Sequence, residues 1–499
     1  MSATQIIELG PMMGSSAIQQ LSSLNQNLSQ RRQNNSSLLQ TENVMYSLES
    51  DPDAFPDGGI DAYQVLLGSF CGLIVDFGIP NAMGAIQTYV STHQLSQYKL
   101  STVNWVFSLH LAIMYLGGVV FGGFFDKFGA KRLLIAATVC IFLGLMATAE
   151  LEELWQFLLS FSILTAFGSS LAMSPLMGVL SHWFLKKRGM ALSMASAGSL
   201  VGSTIFALAL PKLYLQLGFK WALRILAFIC LTSMAISILL IKERPGFNPN
   251  AKAERDEEEI QIQSDNFRAE NHKNAENILS VEVSEEDTAA EKKKSFFDFV
   301  NFKLFLDTKF VVICLATFAN EVNSLTVLTY LASFALSFGV PEKKAYLLLT
   351  VINLSGIPSR VVTGFLADRY GRFNVMLAGN VLQTICIWAI LLPANSLLPL
   401  LYTFTVMYGC MNASLISLIA SCLGQICPAT QFGKYYGMLY FLLAFLVILG
   451  MYIGSLVINA GTKHDYYNWI IFEGVLSTAG LLLWLWARWC VVGFRWCKF

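Results

Sequence analysis

Gly122-Gly123-Phe124-Phe125-Asp126-Lys127-Phe128-Gly129-Ala130-Lys131-Arg132 and Gly364-Phe365-Leu366-Ala367-Asp368-Arg369-Tyr370-Gly371-Arg372 are two copies of one pattern, G-x-x-x-D-[KR]-x-G, each closed by a basic residue. Each copy follows a long apolar run and holds the same place in its half of the chain. A duplication of this kind decides the architecture, because it makes the chain two related halves. Physically, the pattern reads as the end of one helix and the start of the next. Asp126 is stabilised there by a facing helix N-terminus or by cations such as Lys131 and Arg132. Gly122 permits close helix approach and Gly129 a tight turn. The bland alternative is a solvated turn whose positive charges merely face the cytosol.

Outward from these two segments the chain is strongly apolar. Of its 499 residues 55% are hydrophobic and only 13% charged, against about 25% charged in ordinary soluble proteins, and the mean hydropathy is +0.55. A helix crossing about 30 Å of hydrocarbon needs about 20 apolar residues, since lipid offers the backbone no partners. Twelve such runs are expected, at residues 62–86, 102–125, 133–149, 154–180, 190–210 and 221–241, then 310–338, 345–367, 375–392, 397–424, 435–457 and 466–490. The fold class expected is therefore an all-α membrane protein of two six-helix bundles, 62–241 and 308–490. Residues 242–307, with 16 acidic and 10 basic side chains, read as a solvated cytosolic central loop. Residues 1–61 lack the apolar core of a secretory signal and read as a disordered cytosolic tail. Residues 491–499 read as a cytosolic C-terminal tail.

The formal net charge is zero, from 33 basic and 33 acidic residues, so no basic excess points to nucleic acid. None of the ten cysteines forms a C-x-x-C pair and almost all lie in apolar runs, which makes them small buried hydrophobes, neither disulfides nor metal ligands. No metal and no cofactor is expected. With both termini in the cytosol, the cytosolic short loops hold nine Lys and Arg (Lys127, Lys131, Arg132, Lys186, Lys187, Arg188, Arg369, Arg372, Lys434) and the outer loops six, in the sense of the positive-inside rule.

A charged side chain at mid-bilayer costs about 2.5–3.5 kcal/mol on insertion scales, so those present demand a reason. Asp76 lies midway along the first run, Glu321 near the middle of the seventh, Arg360 in the eighth and Glu473 in the twelfth. Each is a candidate for substrate binding or for carrying a proton, against the alternative of a permanently hydrogen-bonded or ion-paired structural group. Arg224 beside Trp221 reads as an interfacial, snorkelling residue. His110 and His182 read first as packing residues. Tyr330, Trp388, Tyr402, Tyr408 and Tyr440 are able to stack on a flat ring but also suit interfacial packing.

The duplicated pattern resembles the loop motif of the major facilitator superfamily, and the resemblance covers about residues 57–499. Asp57-Gly58-Gly59 with Ala62-Tyr63 is similar to the segment leading into the first span of monocarboxylate transporters. Trp183-Phe184-Leu185-Lys186-Lys187-Arg188-Gly189-Met190-Ala191 is similar to that family's fourth-to-fifth-span signature, and the style of 221–225 and 493–499 is closest to fungal homologues, one branch of which carries riboflavin. The resemblance implies a central cavity faced by spans one, four, seven and ten, with Asp76 and Glu321 approaching across it. It also implies that Asp126 engages the start of the eleventh span, near Gly433 to Gly437, as a latch. Arg360 occupies the place of the arginine that holds the substrate carboxylate. The family's aspartate four residues earlier is Gly356 here, and its first-span lysine is Asn81, which replaces that group as a candidate site residue.

These observations converge on a secondary transporter of a small organic solute, a monocarboxylate-like anion or a riboflavin-like vitamin, working by alternating access with protons as a candidate coupling ion. Its partners are then that solute and the bilayer, and the plasma membrane is favoured over the vacuole. A non-transporting nutrient sensor on the same fold is the alternative. An enzyme is disfavoured: no Ser-His-Asp set, nucleotide loop or H-E-x-x-H helix occurs.

Overall fold

The computed structural model describes residues 55–98, 100–244, 302–458 and 462–493. The expected N-terminal tail to residue 54, nearly all of the central loop and the last six residues lie outside the described residues. The rest is helical: α1 (Ile60–Thr92), α2 (Leu100–Phe128), α3 (Ala130–Thr148), α4 (Leu154–Trp183), a 53-residue helical stretch Arg188–Leu240, α7 (Thr308–Ser337), α8 (Glu342–Tyr370), α9 (Arg372–Ala394), α10 (Leu398–Ile426), α11 (Phe432–Ile458) and α12 (Lys463–Val492). The long stretch is two helices. Gly218, at φ 77° and ψ 170°, turns the chain between α5 (188–217) and α6 (219–240), in a region where only glycine is unstrained. Among the described residues, eleven long apolar segments thus make twelve passes.

Sequence-local chemistry sets the ends. Asp307 accepts the Lys309 N–H at 2.9 Å to cap α7, and Thr462 with Asp465 forms a capping box at the start of α12. Gly129 and Gly371, at φ 79° and 93°, make the turns between α2 and α3 and between α8 and α9. These are the last glycines of the two repeated patterns. The first pass is broken: a helix over Ile60–Asp76 ends at Phe77 and a second runs Gly78–Thr92. This extends the pass beyond the expected 62–86 and leaves Asp76 at its break.

Within the N-terminal half, α1 packs on α5, and α2 and α3 on α4. In the second half, α8 packs on α10 and α7 on α12. The bundles meet along two seams, α2 with α11 and α5 with α8. Glycine makes the first seam close: a Cβ on Gly122 would strike the Gly433 carbonyl, and one on Gly437 the Gly118 carbonyl. Lipid does not drive helices together by hydrophobicity, so such backbone proximity supplies the packing instead.

Candidate functional site

At the end of the molecule that carries the repeated patterns, the seams are sealed by carboxylates. Gly433 and Lys434 at the start of α11 donate their N–H groups to Asp126 Oδ1 and Oδ2 at 2.9 and 2.8 Å. Gly189 and Met190 at the start of α5 donate to Asp368 Oδ1 and Oδ2 at 2.8 and 2.7 Å. Each aspartate thereby satisfies free N–H groups of a helix in the other bundle and faces its positive dipole end. Of the partners open for Asp126 from sequence, the helix N-terminus is the one it bonds. The N–H groups of Ala130 and Lys131 go elsewhere, to Glu243 Oε1 at 2.6 and 3.1 Å. Gly122 and Gly364 sit one turn before the aspartates, each against backbone of the opposite bundle. Arg372 adds a 2.7 Å bond to the Leu185 carbonyl and Arg188 a 2.5 Å bond to the Gly424 carbonyl. Lys131, Arg132 and Arg369 are exposed. Asp57 in the Asp-Gly-Gly segment accepts from Leu185 N and Lys187 N at 2.9 and 3.0 Å, which brings two of the motifs read from sequence into contact.

Inward from this seal lies a belt of hydroxyls. Ser193 donates to Ser417 across the bundles at 3.2 Å, while Ser359 and Thr363 meet Ser414 at 2.7 and 2.6 Å. Arg360 stands beside the belt, 4% exposed. Its Nε donates to the Ala413 carbonyl at 3.1 Å and its Nη1 to Ser199 Oγ at 2.9 Å and to the Ser196 carbonyl. The guanidinium therefore ties α8 to α10 and, across the seam, to α5.

Around the Arg360 head is a layer of buried polar and aromatic groups. Tyr436 and Tyr440, one turn apart on α11, join hydroxyl to hydroxyl at 3.4 Å. The Tyr440 ring lies 5.1 Å from Tyr115 of α2 and 6.5 Å from Phe77 at the break in α1. Arg360 interacts electrostatically with Glu321, Tyr436 and Tyr440, and both Asp76 and Glu321 act on Tyr115 and Tyr436. Asp76 is fully buried and neither carboxyl oxygen has a hydrogen-bond partner among the described residues. Glu321, also buried, forms no ion pair within 4 Å among those residues. Glu321 of α7 and Arg360 of α8 therefore face one another, and Asp76 of α1 shares the neighbours Tyr115 and Tyr436 with Glu321. Tyr115 and Tyr436 were not anticipated. Only their polarity within otherwise apolar runs could have flagged them.

Two candidates lie elsewhere. Asn81 is exposed on α1 beyond the break, on a stripe with Gly84 and Thr88. Glu473 is buried inside the second bundle, where its Oε2 accepts from Asn323 Nδ2 at 2.7 Å. His110 is a packing residue, with Nδ1 2.8 Å from the Phe161 carbonyl, and His182 stacks on Phe125. Arg224 pairs with Glu150 at 2.5 Å and lies over the Trp221 ring.

The profile of the Major Facilitator Superfamily matches residues 65–374 and 313–496. A riboflavin transporter of Saccharomyces cerevisiae is 34% identical over 90% of this chain and 82% of its own length. An aspyridones efflux protein of Emericella nidulans is 29% identical over 82% of this chain and 74% of its own. Among solved structures, the proton:xylose symporter XylE aligns with a TM-score of 0.62 at 14% identity, covering 84% of this chain and 94% of that one. With the duplicated carboxylate seals, the buried polar layer between two bundles and these relatives together, the chain belongs to the Major Facilitator Superfamily and is a multi-pass secondary transporter of small molecules.

Proposed function

We propose that the transported solute is a flat, polar ring compound of the riboflavin class, bound in the layer between the bundles. The observation that carries this reading is the cluster of Phe77, Tyr115, Tyr436 and Tyr440 beside Arg360, Glu321 and Asp76. Aromatic faces accept a planar ring by offset stacking, and the polar groups at its rim recognise hydrogen-bonding edges. The 34% identity to a riboflavin transporter supports it. A monocarboxylate is the second reading, favoured by the guanidinium itself. Bidentate carboxylate binding uses N–H groups on two adjacent nitrogens of the fork, yet Nε and both Nη1 N–H groups of Arg360 are already engaged, which leaves the two N–H groups of Nη2 and no free pair of nitrogens. A neutral ring suits that residue of capacity better.

Glu321 and Asp76 are the proton carriers of this site. Both are carboxyl groups withheld from water, and protonation removes the cost of burying their charge. The repeated-pattern end faces the cytosol, where its Lys and Arg belong, so the seal at that end makes the state outward-open with Asn81, Gly84 and Thr88 lining the outer mouth. In this reading the protein works in the plasma membrane, with bundles 62–241 and 308–490 as its domains.

Uptake decides between these readings. Protein reconstituted in vesicles with an imposed proton gradient should accumulate labelled riboflavin and not lactate. Lactate accumulation would establish the monocarboxylate reading, and binding of riboflavin without accumulation would refute transport of it. Arg360→Lys should reduce uptake with unchanged protein abundance, and unaltered uptake would remove Arg360 from the site.

A further inference from the structure

Glu473 is fully buried on α12, away from the layer between the bundles. Asn323, which donates to its Oε2, accepts at Oδ1 from Gln383 Nε2 at 2.6 Å and from the Tyr408 hydroxyl at 2.9 Å. Asn323 Nδ2 also lies 3.3 Å from the Glu473 carbonyl oxygen. The cluster thus draws on α7, α9, α10 and α12, with Thr326 and Trp469 beside the carboxyl. Glu473 Oε1, Gln383 Oε1 and Trp469 Nε1 are buried without a hydrogen-bond partner among the described residues. Among those residues no Lys, Arg or His pairs with the carboxyl. The titratable group facing it is Tyr408, which also feels Cys386 and Glu321. From α11, Gly450 stands against Val322 and Gly454 against Thr326 of α7.

A fully buried carboxylate that has only neutral neighbours (Asn323, Thr326 and Trp469) and no counter-charge is strongly disfavoured as an ion. We propose that Glu473 is a second proton-binding site, off the substrate path, whose occupancy reaches the central layer through Asn323 and Tyr408. Asn323 follows Glu321 by two positions on α7, so one helix sends the two side chains to roughly opposite faces. Loss of the proton leaves a charged acceptor that draws Asn323 Nδ2 more strongly, and this pull acts on the helix that carries Glu321. Tyr408 lies near both acids and donates to Asn323 Oδ1 at 2.9 Å, a second link between the sites.

Infrared spectroscopy of the purified full-length protein in lipid nanodiscs tests this without any transported substrate, so it stands apart from the riboflavin assignment. The carbonyl stretch of a neutral, buried carboxylic acid should be lost in Glu473→Gln and retained in Glu321→Gln. A spectrum unchanged by Glu473→Gln would overturn the proposal. So would loss of the band on adding sodium chloride at constant pH, which would make the cluster a cation site through Glu473 Oε1 and Gln383 Oε1. Asn323→Leu keeps the acid and removes its donor, so it should shift the band; no shift would also overturn the assignment, including when Glu473→Gln fails to fold. For the linkage, the pH dependence of a label distance across the seal should weaken in Glu473→Gln, and a full wild-type dependence would refute transmission.

Discussion

Asp126→Asn is the sharpest perturbation of the seal, because it preserves shape while changing charge. In the wild type two carboxylate oxygens accept the Gly433 and Lys434 N–H groups at 2.9 and 2.8 Å. The asparagine keeps one acceptor and turns an amide NH2 toward the second N–H. A hydrogen bond to a charged group contributes about 1.5–3 kcal/mol, so the loss is taken as about 2 kcal/mol. At about 1.4 kcal/mol per tenfold, the equilibrium between sealed and open forms of this end shifts by about thirty-fold. Asp368→Asn should act equally, since Asp368 makes the same pair of bonds to Gly189 and Met190. The two sites share no partner, so the double variant should lose about 4 kcal/mol, close to a thousandfold, by additivity. Spin labels at exposed Lys131 and Lys309, one in each half, in a background with native cysteines replaced, report the distance across this end. The single variants should populate a longer distance and the double variant should be dominated by it. A wild-type distance distribution in the double variant would refute the idea that these aspartates hold the bundles together.

Other consequences can be checked alongside. Gly122→Ala should lower the thermal midpoint, since overpacking costs about 1–3 kcal/mol and the obstructing Gly433 carbonyl belongs to a residue already fixed by Asp126. Tyr440→Leu removes a stacking face and should raise KM for riboflavin about two- to twelve-fold, the equivalent of about 0.5–1.5 kcal/mol; an unchanged KM would place the ring elsewhere. Hydrogen bonds from Arg224 and then Lys220 hold the exposed Glu150 carboxyl below its ordinary range. A depressed carboxyl contributes stability above its unfolded value and loses it as pH falls through the folded one. The small midpoint difference between wild type and Glu150→Gln should therefore exist at neutral pH and vanish in acid; a difference that persists in acid would assign it to packing.

The passes and the repeated turns were legible because both are local: apolar length marks a span, and Gly129 and Gly371 mark turns that need positive φ. The rare charges Asp76, Glu321 and Arg360 were legible for the same reason, each being conspicuous in an apolar run. Orientation around a helix was not. In lipid both the buried and the outer faces are apolar, so no period separates the face carrying Tyr115 from its neighbours. Glu473 is as conspicuous by its charge as Glu321, yet it lies within one bundle: only packing distinguishes them. The join between α5 and α6 was expected near 211–220, but a single residue, Gly218, makes it, with helix on both sides.

The repeat also explains where the site must be. Aligning Asp126 with Asp368 sets Gly122 against Gly364 and Gly118 against Arg360. Aligning the helix starts that they cap, Gly433 with Gly189, sets Gly437 against Ser193 and Tyr440 against Ser196. Near the seal, the two seams therefore match: aspartate on N–H groups, then glycine on backbone. Two turns further in they diverge. One seam carries Arg360 bonded to the Ser196 carbonyl, and the other has Gly118 with Tyr440 nearby. A charge bonded to backbone stands in one half, and an aromatic ring occupies the matching layer of the other. Both seams at this end open together when one bundle rocks against the other, so their matched contacts add in holding it closed. Asymmetry in the next layer lets a solute meet a cation from one side and a ring from the other. Restoring symmetry there, by Arg360→Gly with Ser196→Tyr, should abolish uptake at unchanged protein abundance, and retained uptake would mean that this asymmetric layer does not hold the solute.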